Sequence, residues 1–167
     1  MTRRLFVLLL TLALPVCAAE GLIALIDSLD EPEGYCLDVP GWGRRLNLDA
    51  PLMAHTCKPG AEDELFTRGN PAPGQLYMKA YDLCVTAASD KPGALVFLKD
   101  CTSSPLQRFS FESNGQIRLD GSDLCMRVAG GKGTPTGGPS HLRRDLSLEA
   151  CKSADPALSQ WKLPESD

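Results

Sequence analysis

The chain has 167 residues and a formal net charge of −4, with 17 lysines and arginines against 21 aspartates and glutamates and only two histidines. So acidic a chain is a poor match for nucleic-acid phosphates, which are held chiefly by Lys and Arg. At 43% apolar and 23% charged residues the composition is that of one globular domain with a real core, and no apolar run after the N-terminal segment reaches the length of a bilayer span.

Residues 1–19 read as an export signal. Arg3 and Arg4 give a basic start, residues 5–16 an apolar core, and Cys17, Ala18 and Ala19 supply small side chains for cleavage before Glu20. The core is too short for a permanent membrane helix. Short and strongly apolar, it suits the general secretion route better than the twin-arginine route. Val16 is too bulky for the lipidation motif that Leu14-Pro15-Val16-Cys17 otherwise resembles. The expectation is therefore a secreted or periplasmic domain of residues 20–167, with six cysteines, 15 basic and 21 acidic side chains, and a net charge of −6. Six cysteines in an exported chain argue for disulfides. No two of them lie at zinc-ligand spacing and no histidine pair accompanies them, so no metal and no cofactor are expected.

From Gly21 the chain repeats itself three times, over about residues 20–73, 74–114 and 115–167. The first copy, GLIALIDSLDEPEGYCLDV, is loosened by five extra residues around Pro32 and Gly34. The next two, GQLYMKAYDLCV from Gly74 and GQIRLDGSDLCM from Gly115, are in phase 41 residues apart, with ten residues from glycine to cysteine in each. β-branched and alternating residues interrupted by Gly, Asp and Ser predict strands at 75–79 and 83–86, and at 116–119 and 124–128. Each copy continues through a variable loop to a short apolar strand ending in a second cysteine: Cys57, Cys101 and Cys151. An aromatic follows eight to ten residues later: Phe66, Phe109 and Trp161. That is about four short strands per copy and about twelve in all, with no sustained helical period, so an all-β fold is predicted. Counting alone allows many cysteine pairings. The repeats narrow them to Cys36–Cys57, Cys84–Cys101 and Cys125–Cys151, each closing a loop whose entropy is worth about 3 kcal/mol. One large ring per repeat is expected to fill the centre around a pseudo-threefold axis.

Three in-phase repeats with a cysteine pair each and a closing Gln-x-aromatic resemble the ricin B-type lectins over essentially all of residues 20–167. Cys36-Leu37-Asp38-Val39 and Gln107-Arg108-Phe109 match that pattern directly; Ser159-Gln160-Trp161 keeps the tryptophan, and Glu64-Leu65-Phe66 lies one step further away. The resemblance implies a β-trefoil, a barrel capped by hairpins, and shallow sugar pockets, up to one per repeat. It also implies roles: an aspartate two after the first cysteine for sugar hydroxyls, an aromatic two before the second cysteine for the ring face, and an amide just before the closing motif. Charge-assisted acceptors suit hydroxyls and aromatic faces suit the C–H face of a sugar. Repeat 1 carries Asp38, His55 and Asp63 at these places, with Trp42 in the turn-forming loop PGWGRR as a substitute platform and Arg44 and Asn47 as further polar contacts. Repeat 2 carries Thr86, Lys99 and Leu106, and repeat 3 Arg127, Glu149 and Leu158, which predicts two dead pockets. Because Thr and Arg replace Asp38 in the other copies, folding alone does not demand a carboxylate there.

The glycine-rich insertion GGKGTPTGGPSHLRR, residues 130–144, lacks the strand and helix context of a phosphate loop. It reads as a flexible surface loop ending in the basic residues His141, Arg143 and Arg144. Nucleophilic catalysis needs a base beside Ser, Thr or Cys. With the mature cysteines in disulfides and the histidines in different repeats, no enzyme is expected. The partners expected are glycans or glycoconjugates. The alternative is a protein-binding scaffold, such as a toxin or hydrolase accessory subunit, resembling at fold level the trefoils of cytolethal distending toxins.

Overall fold

A computed structural model describes residues 20–137 and 141–162; the expected export signal, residues 1–19, lies outside the described residues. Repeat 1 forms β1 (Glu20–Leu22), β2 (Ala24–Leu25), β3 (Tyr35–Asp38), β4 (Met53–Thr56) and β5 (Leu65–Arg68). Repeat 2 forms β6 (Leu76–Met78), β7 (Leu83–Ala87), β8 (Val96–Lys99) and β9 (Phe109–Phe111). Repeat 3 forms β10 (Ile117–Leu119), β11 (Leu124–Val128), β12 (Thr134–Pro135), β13 (Leu142–Ala150) and β14 (Trp161–Lys162). The two strands beyond the expected twelve have local causes. β1 and β2 are one strand interrupted at Ile23, whose carbonyl turns aside to accept from the Leu37 N–H at 2.9 Å. β12 belongs to the insertion of repeat 3.

The first and last strands of the repeats close a ring. β5 pairs with β1 and β6, β9 with β10, and β14 with β2, all antiparallel. The remaining joints are the Phe109 N–H to the Gly74 carbonyl at 2.7 Å, and the Trp161 N–H to the Gly115 carbonyl at 2.8 Å. Gly21 sits opposite Phe66 in the β1–β5 ladder. Each closing aromatic therefore meets the glycine that opens its own repeat. Gly115 shows why glycine is needed: its φ is +87°, and an added Cβ would lie 3.2 Å from the Ile26 side chain and 3.3 Å from the Trp161 carbonyl.

The inner strands form three hairpins, β3–β4, β7–β8 and β11–β13. They meet through backbone bonds from Leu52 N–H to the Val96 carbonyl at 2.7 Å and between Leu148 and Ala94 at 2.8 Å. This is the β-trefoil arrangement. Phe66, Phe109 and Trp161 are buried in one continuous apolar core with Leu37, Val85 and Met126 from the three hairpins. The three disulfides join Cys36 to Cys57, Cys84 to Cys101 and Cys125 to Cys151. Among the described residues no helix is long and apolar enough to cross a membrane.

The described residues of the repeat 3 insertion depart from the flexible loop expected of them. β12 pairs with the start of β13, and β13 runs nine residues, against four for its counterparts β4 and β8. Its extra length pairs with β4, setting Arg143 opposite His55, Arg144 opposite Ala54 and Asp145 opposite Met53. Arg144 is buried rather than part of a basic surface patch. Its guanidinium bonds Asp30 and the Gly131 and Ala129 carbonyls and stacks 4.9 Å from the Tyr35 ring centroid. Glycine content masked this order, because hydrogen bonds from outside the segment impose it.

Truncation of a closing aromatic tests the ring. Phe109→Ala should lower unfolding free energy by about 3–5 kcal/mol in urea titration, whereas Arg108→Ala, at an exposed neighbour, should stay within about 0.5 kcal/mol.

Candidate functional site

Alternation along β3 sends Tyr35 and Leu37 into the core and turns Cys36 and Asp38 to the opposite face. Cys36 is the register partner of His55 on β4, so Asp38 and His55 share that face, with Asp38 Oδ2 3.6 Å from His55 Nδ1. The Cys36–Cys57 bridge fixes the turn after β4 and with it Lys58. The Lys58 ammonium is the hub of the site: it donates to Asp38 Oδ2 and Asp63 Oδ2, each at 3.2 Å, and lies 3.4 Å from Glu64 Oε1. Asp38 is 1% exposed and Glu64 wholly buried. Burial, then the charge of Glu64, pushes Asp38 up to about 8, and burial pushes Glu64 up to about 7. Burial works against the Lys58 charge, but Asp38, Glu64 and Asp63 together hold its pKa above the usual lysine value.

His55 does not offer a free face as a platform. It is buried, edge-on to His141 with ring centroids 5.5 Å apart. Burial lowers its pKa and keeps the ring neutral. The neutral ring donates from Nδ1 to the Thr56 carbonyl, which can only accept, at 3.2 Å, and its Nε2 lies 3.0 Å from the Thr136 hydroxyl, which also faces the His141 carbonyl at 3.1 Å. A residue of the repeat 3 insertion thus orients a side chain of repeat 1.

Trp42 supplies the exposed aromatic surface, at 72% accessibility. Its loop is fixed by Arg45 N–H to the Trp42 carbonyl at 2.9 Å and Asn47 N–H to the Pro40 carbonyl at 2.8 Å. Gly41, at φ +101°, lets the Arg45 carbonyl approach to where a Cβ would be 2.1 Å away. Trp42, Asp38, His55 and Lys58 line one cavity of about 1130 Å³, which continues past Leu95 to Thr136, His141 and Arg143 of the insertion. Asp63 stands behind Lys58 rather than on the cavity wall, and Arg44 and Asn47 are not among its lining residues.

Ligand atoms of Asp38, His55 and Glu64 lie within 4.8 Å of one another, a spacing that invites comparison with a metal seat. The Lys58 ammonium already occupies the cationic position on both carboxylates, and a divalent ion beside it would meet like charge at contact distance. The cluster is an ion-pair network.

The matching places in repeats 2 and 3 are used internally. Thr86 donates to the Cys84 carbonyl and accepts from Gln107 at 2.9 Å, Ser147 donates to Glu149 at 3.0 Å, and Leu106 and Leu158 pack on the core. Sequence reasoning brought Asp38, Trp42, His55 and Asp63 together but missed Lys58 and the role of Glu64. The signal available for Lys58 was a lone cation directly after Cys57 in a stretch holding Glu62, Asp63 and Glu64.

Residues 28–156 match the ricin-type beta-trefoil lectin domain family. Similar solved structures include a designed threefold-symmetric protein, ThreeFoil (TM-score 0.62, 13% identity, covering 87% of this chain and 98% of that one). The β-trefoil lectin of the Vibrio vulnificus hemolysin/cytolysin with N-acetyl-D-lactosamine bound is also similar (TM-score 0.58, 18% identity, 87% and 93% covered). So is the agglutinin of Abrus precatorius (TM-score 0.60, 19% identity, 88% of this chain and 47% of that one). At these identities the likeness concerns the fold.

The raised carboxyls set the sign of a pH effect. Their folded values lie above those of an unfolded chain, so their contribution to stability is complete below the ordinary carboxylate range and is lost as pH rises through about 7 and 8. Lys58 offsets the charges that then appear. Lys58→Met should cost little near pH 5. Near pH 9 it should cost about 2 kcal/mol, below the ~3–5 kcal/mol of a fully buried pair because Lys58 is 28% exposed, as read by denaturant titration at the two pH values.

Proposed function

The chain belongs to the ricin-type β-trefoil lectin domain family, and on that premise we propose that it is an exported, non-catalytic carbohydrate-binding module whose one sugar site lies in repeat 1. The observation that carries the reading is the placement of an exposed indole and the hydrogen-bonded Asp38–Lys58 pair on one cavity. Trp42 offers a flat apolar face, and the Asp38–Lys58 pair offers an acceptor and a donor for hydroxyls. His55 acts as an oriented wall, and Asp63 holds the Lys58 ammonium over Asp38. The engagement of Thr86 and Glu149 within their own repeats supports a single site. Three disulfides support an oxidising, extracytoplasmic compartment.

One shallow site gives weak monovalent binding, and avidity on a surface bearing many glycans would compensate only where several copies are held together. A glycan array on the purified protein tests the reading. Trp42→Ala should weaken binding about ten-fold, the loss expected from a stacking contact of roughly 1.4 kcal/mol. Asp38→Asn should weaken it at least as much, while Lys99→Ala and Arg127→Ala should leave it unchanged. Wild-type protein that captures no glycan, or Trp42 and Asp38 variants that bind as well as wild type, would refute the site.

A further inference from the structure

Two buried carboxylate oxygens of the site, Asp38 Oδ1 and Glu64 Oε1, make no hydrogen bond. Repeat 2 shows what the fold provides at the same positions. Thr86 and Asp38 each stand two residues after a first cysteine, Thr102 and Lys58 each directly follow a second cysteine, and Gln107 and Glu64 each stand two before the closing phenylalanine. In repeat 2, Gln107 Oε1 accepts from the Thr102 N–H at 2.7 Å, while its Nε2 donates to Thr86 Oγ1 at 2.9 Å and to the Asp100 carbonyl at 2.8 Å. In repeat 1, Glu64 Oε2 accepts from the Lys58 N–H at the same 2.7 Å. Its other oxygen then stands where the amide donor of Gln107 stands, with a carboxylate in place of Thr86. The backbone has kept its geometry and a donor has been replaced by an acceptor, so two carboxylates, with oxygens within 4.8 Å of one another, take the places that a hydroxyl and an amide N–H take in repeat 2. Lys58 bonds Asp38 only through Oδ2 and stands 3.4 Å from Glu64 Oε1 without a hydrogen bond to it, so both orphan oxygens stay unsatisfied; buried acceptors short of donors are costly, and a proton is the donor that restores the bond.

We propose that Asp38 and Glu64 share one proton near neutral pH, and that loss of this proton in mildly alkaline solution closes the repeat 1 site to ligand. The second half rests on the sugar-site reading above; the first does not. The surrounding charges hold the last proton into neutral solution. Lys58 touches both carboxyls but divides its single charge with Asp63, and Glu62 adds a further negative charge on the same turn. His55, kept neutral chiefly by burial, supplies no cation; the His141 ring stands edge-on to it. Tyr81, raised first by burial and then by Asp63, Glu62 and Asp38, stays protonated. With burial pushing Asp38 up to about 8 and Glu64 up to about 7, one proton is still held between those values. With the proton bound, Asp38 keeps its place under Lys58. With both carboxyls ionised, repulsion between them displaces the acceptor that a sugar hydroxyl needs.

Infrared difference spectroscopy on the intact protein tests the proton without any ligand. Wild type should show a protonated-carboxyl C=O stretch at neutral pH that disappears by about pH 9.5. Glu64→Gln, which restores the Gln107 arrangement, and Asp38→Asn should both lack the band. Absence of the band in wild type, or its persistence in Glu64→Gln, overturns the proposal. The gating half is read on a glycan array, N-acetyl-D-lactosamine among its probes, run near pH 7 and pH 9. About a unit above the upper value only about a tenth of the molecules keep the proton, so wild-type affinity should fall about ten-fold while Glu64→Gln stays flat. A parallel fall in both proteins overturns the gating. An array silent for both overturns the sugar reading and the gating with it, and leaves the infrared band to decide the proton.

Discussion

The pairing of each repeat's closing aromatic with its own opening glycine is the constraint on which the rest of the molecule depends. Phe66 against Gly21, Phe109 against Gly74 and Trp161 against Gly115 turn each repeat back on itself before it meets the next. The ring places the indole or phenyl group in the shared core while the glycine lets the backbones approach. Once three such closures exist, the hairpins between them have nowhere to go but the other end of the barrel, where Leu52, Ala94 and Leu148 meet. The disulfides then tie each hairpin at its base. Functional side chains stand on that frame at positions where the three copies are free to differ, because the frame does not use them.

Repeat 1 spends that freedom on charge. Three carboxylates crowd one ammonium in a place that is nearly dry, and burying charges costs more than their attraction returns unless every lone pair finds a donor. Repeats 2 and 3 show the inexpensive solution at the same backbone positions, a neutral hydrogen-bond network around Gln107 and an apolar patch around Leu158. An expensive arrangement beside two inexpensive ones, on the same fold, marks where repeat 1 departs most from its copies.

The repeat phase, the disulfide pairs and the core aromatics were legible because each depends on spacing within about 40 residues, which sequence reports directly. Asp38 was legible because its counterparts, Thr86 and Arg127, showed that the position tolerates change. What stayed hidden depends on contacts between distant segments. His55 reads as an exposed ring until Thr136 and His141, 81 and 86 positions away, cover it. The insertion reads as loose until β4 gives it a strand to pair with and Asp30 gives Arg144 a partner. Glu64 reads as a near miss for glutamine, and only the Lys58 N–H bonded to one oxygen and no hydrogen bond on the other reveals the difference one atom makes.

The long strand β13 extends beyond its hairpin partner β11 to pair with β4, and brings its own Arg143 and, through its pairing with β12, the adjoining Thr136 to the cavity of repeat 1. The unit that repeats and the unit that encloses the cavity are therefore different units. A graft of residues 20–73 into another trefoil would transfer the acids and the lysine but leave His55 without its hydroxyl partner and the cavity without one wall. Conversely, a shuffled chain with repeat 3 exchanged for a second copy of repeat 2 would keep every residue of repeat 1 and still lose the site. Modularity in this molecule ends at the backbone; its chemistry is held in common by two copies.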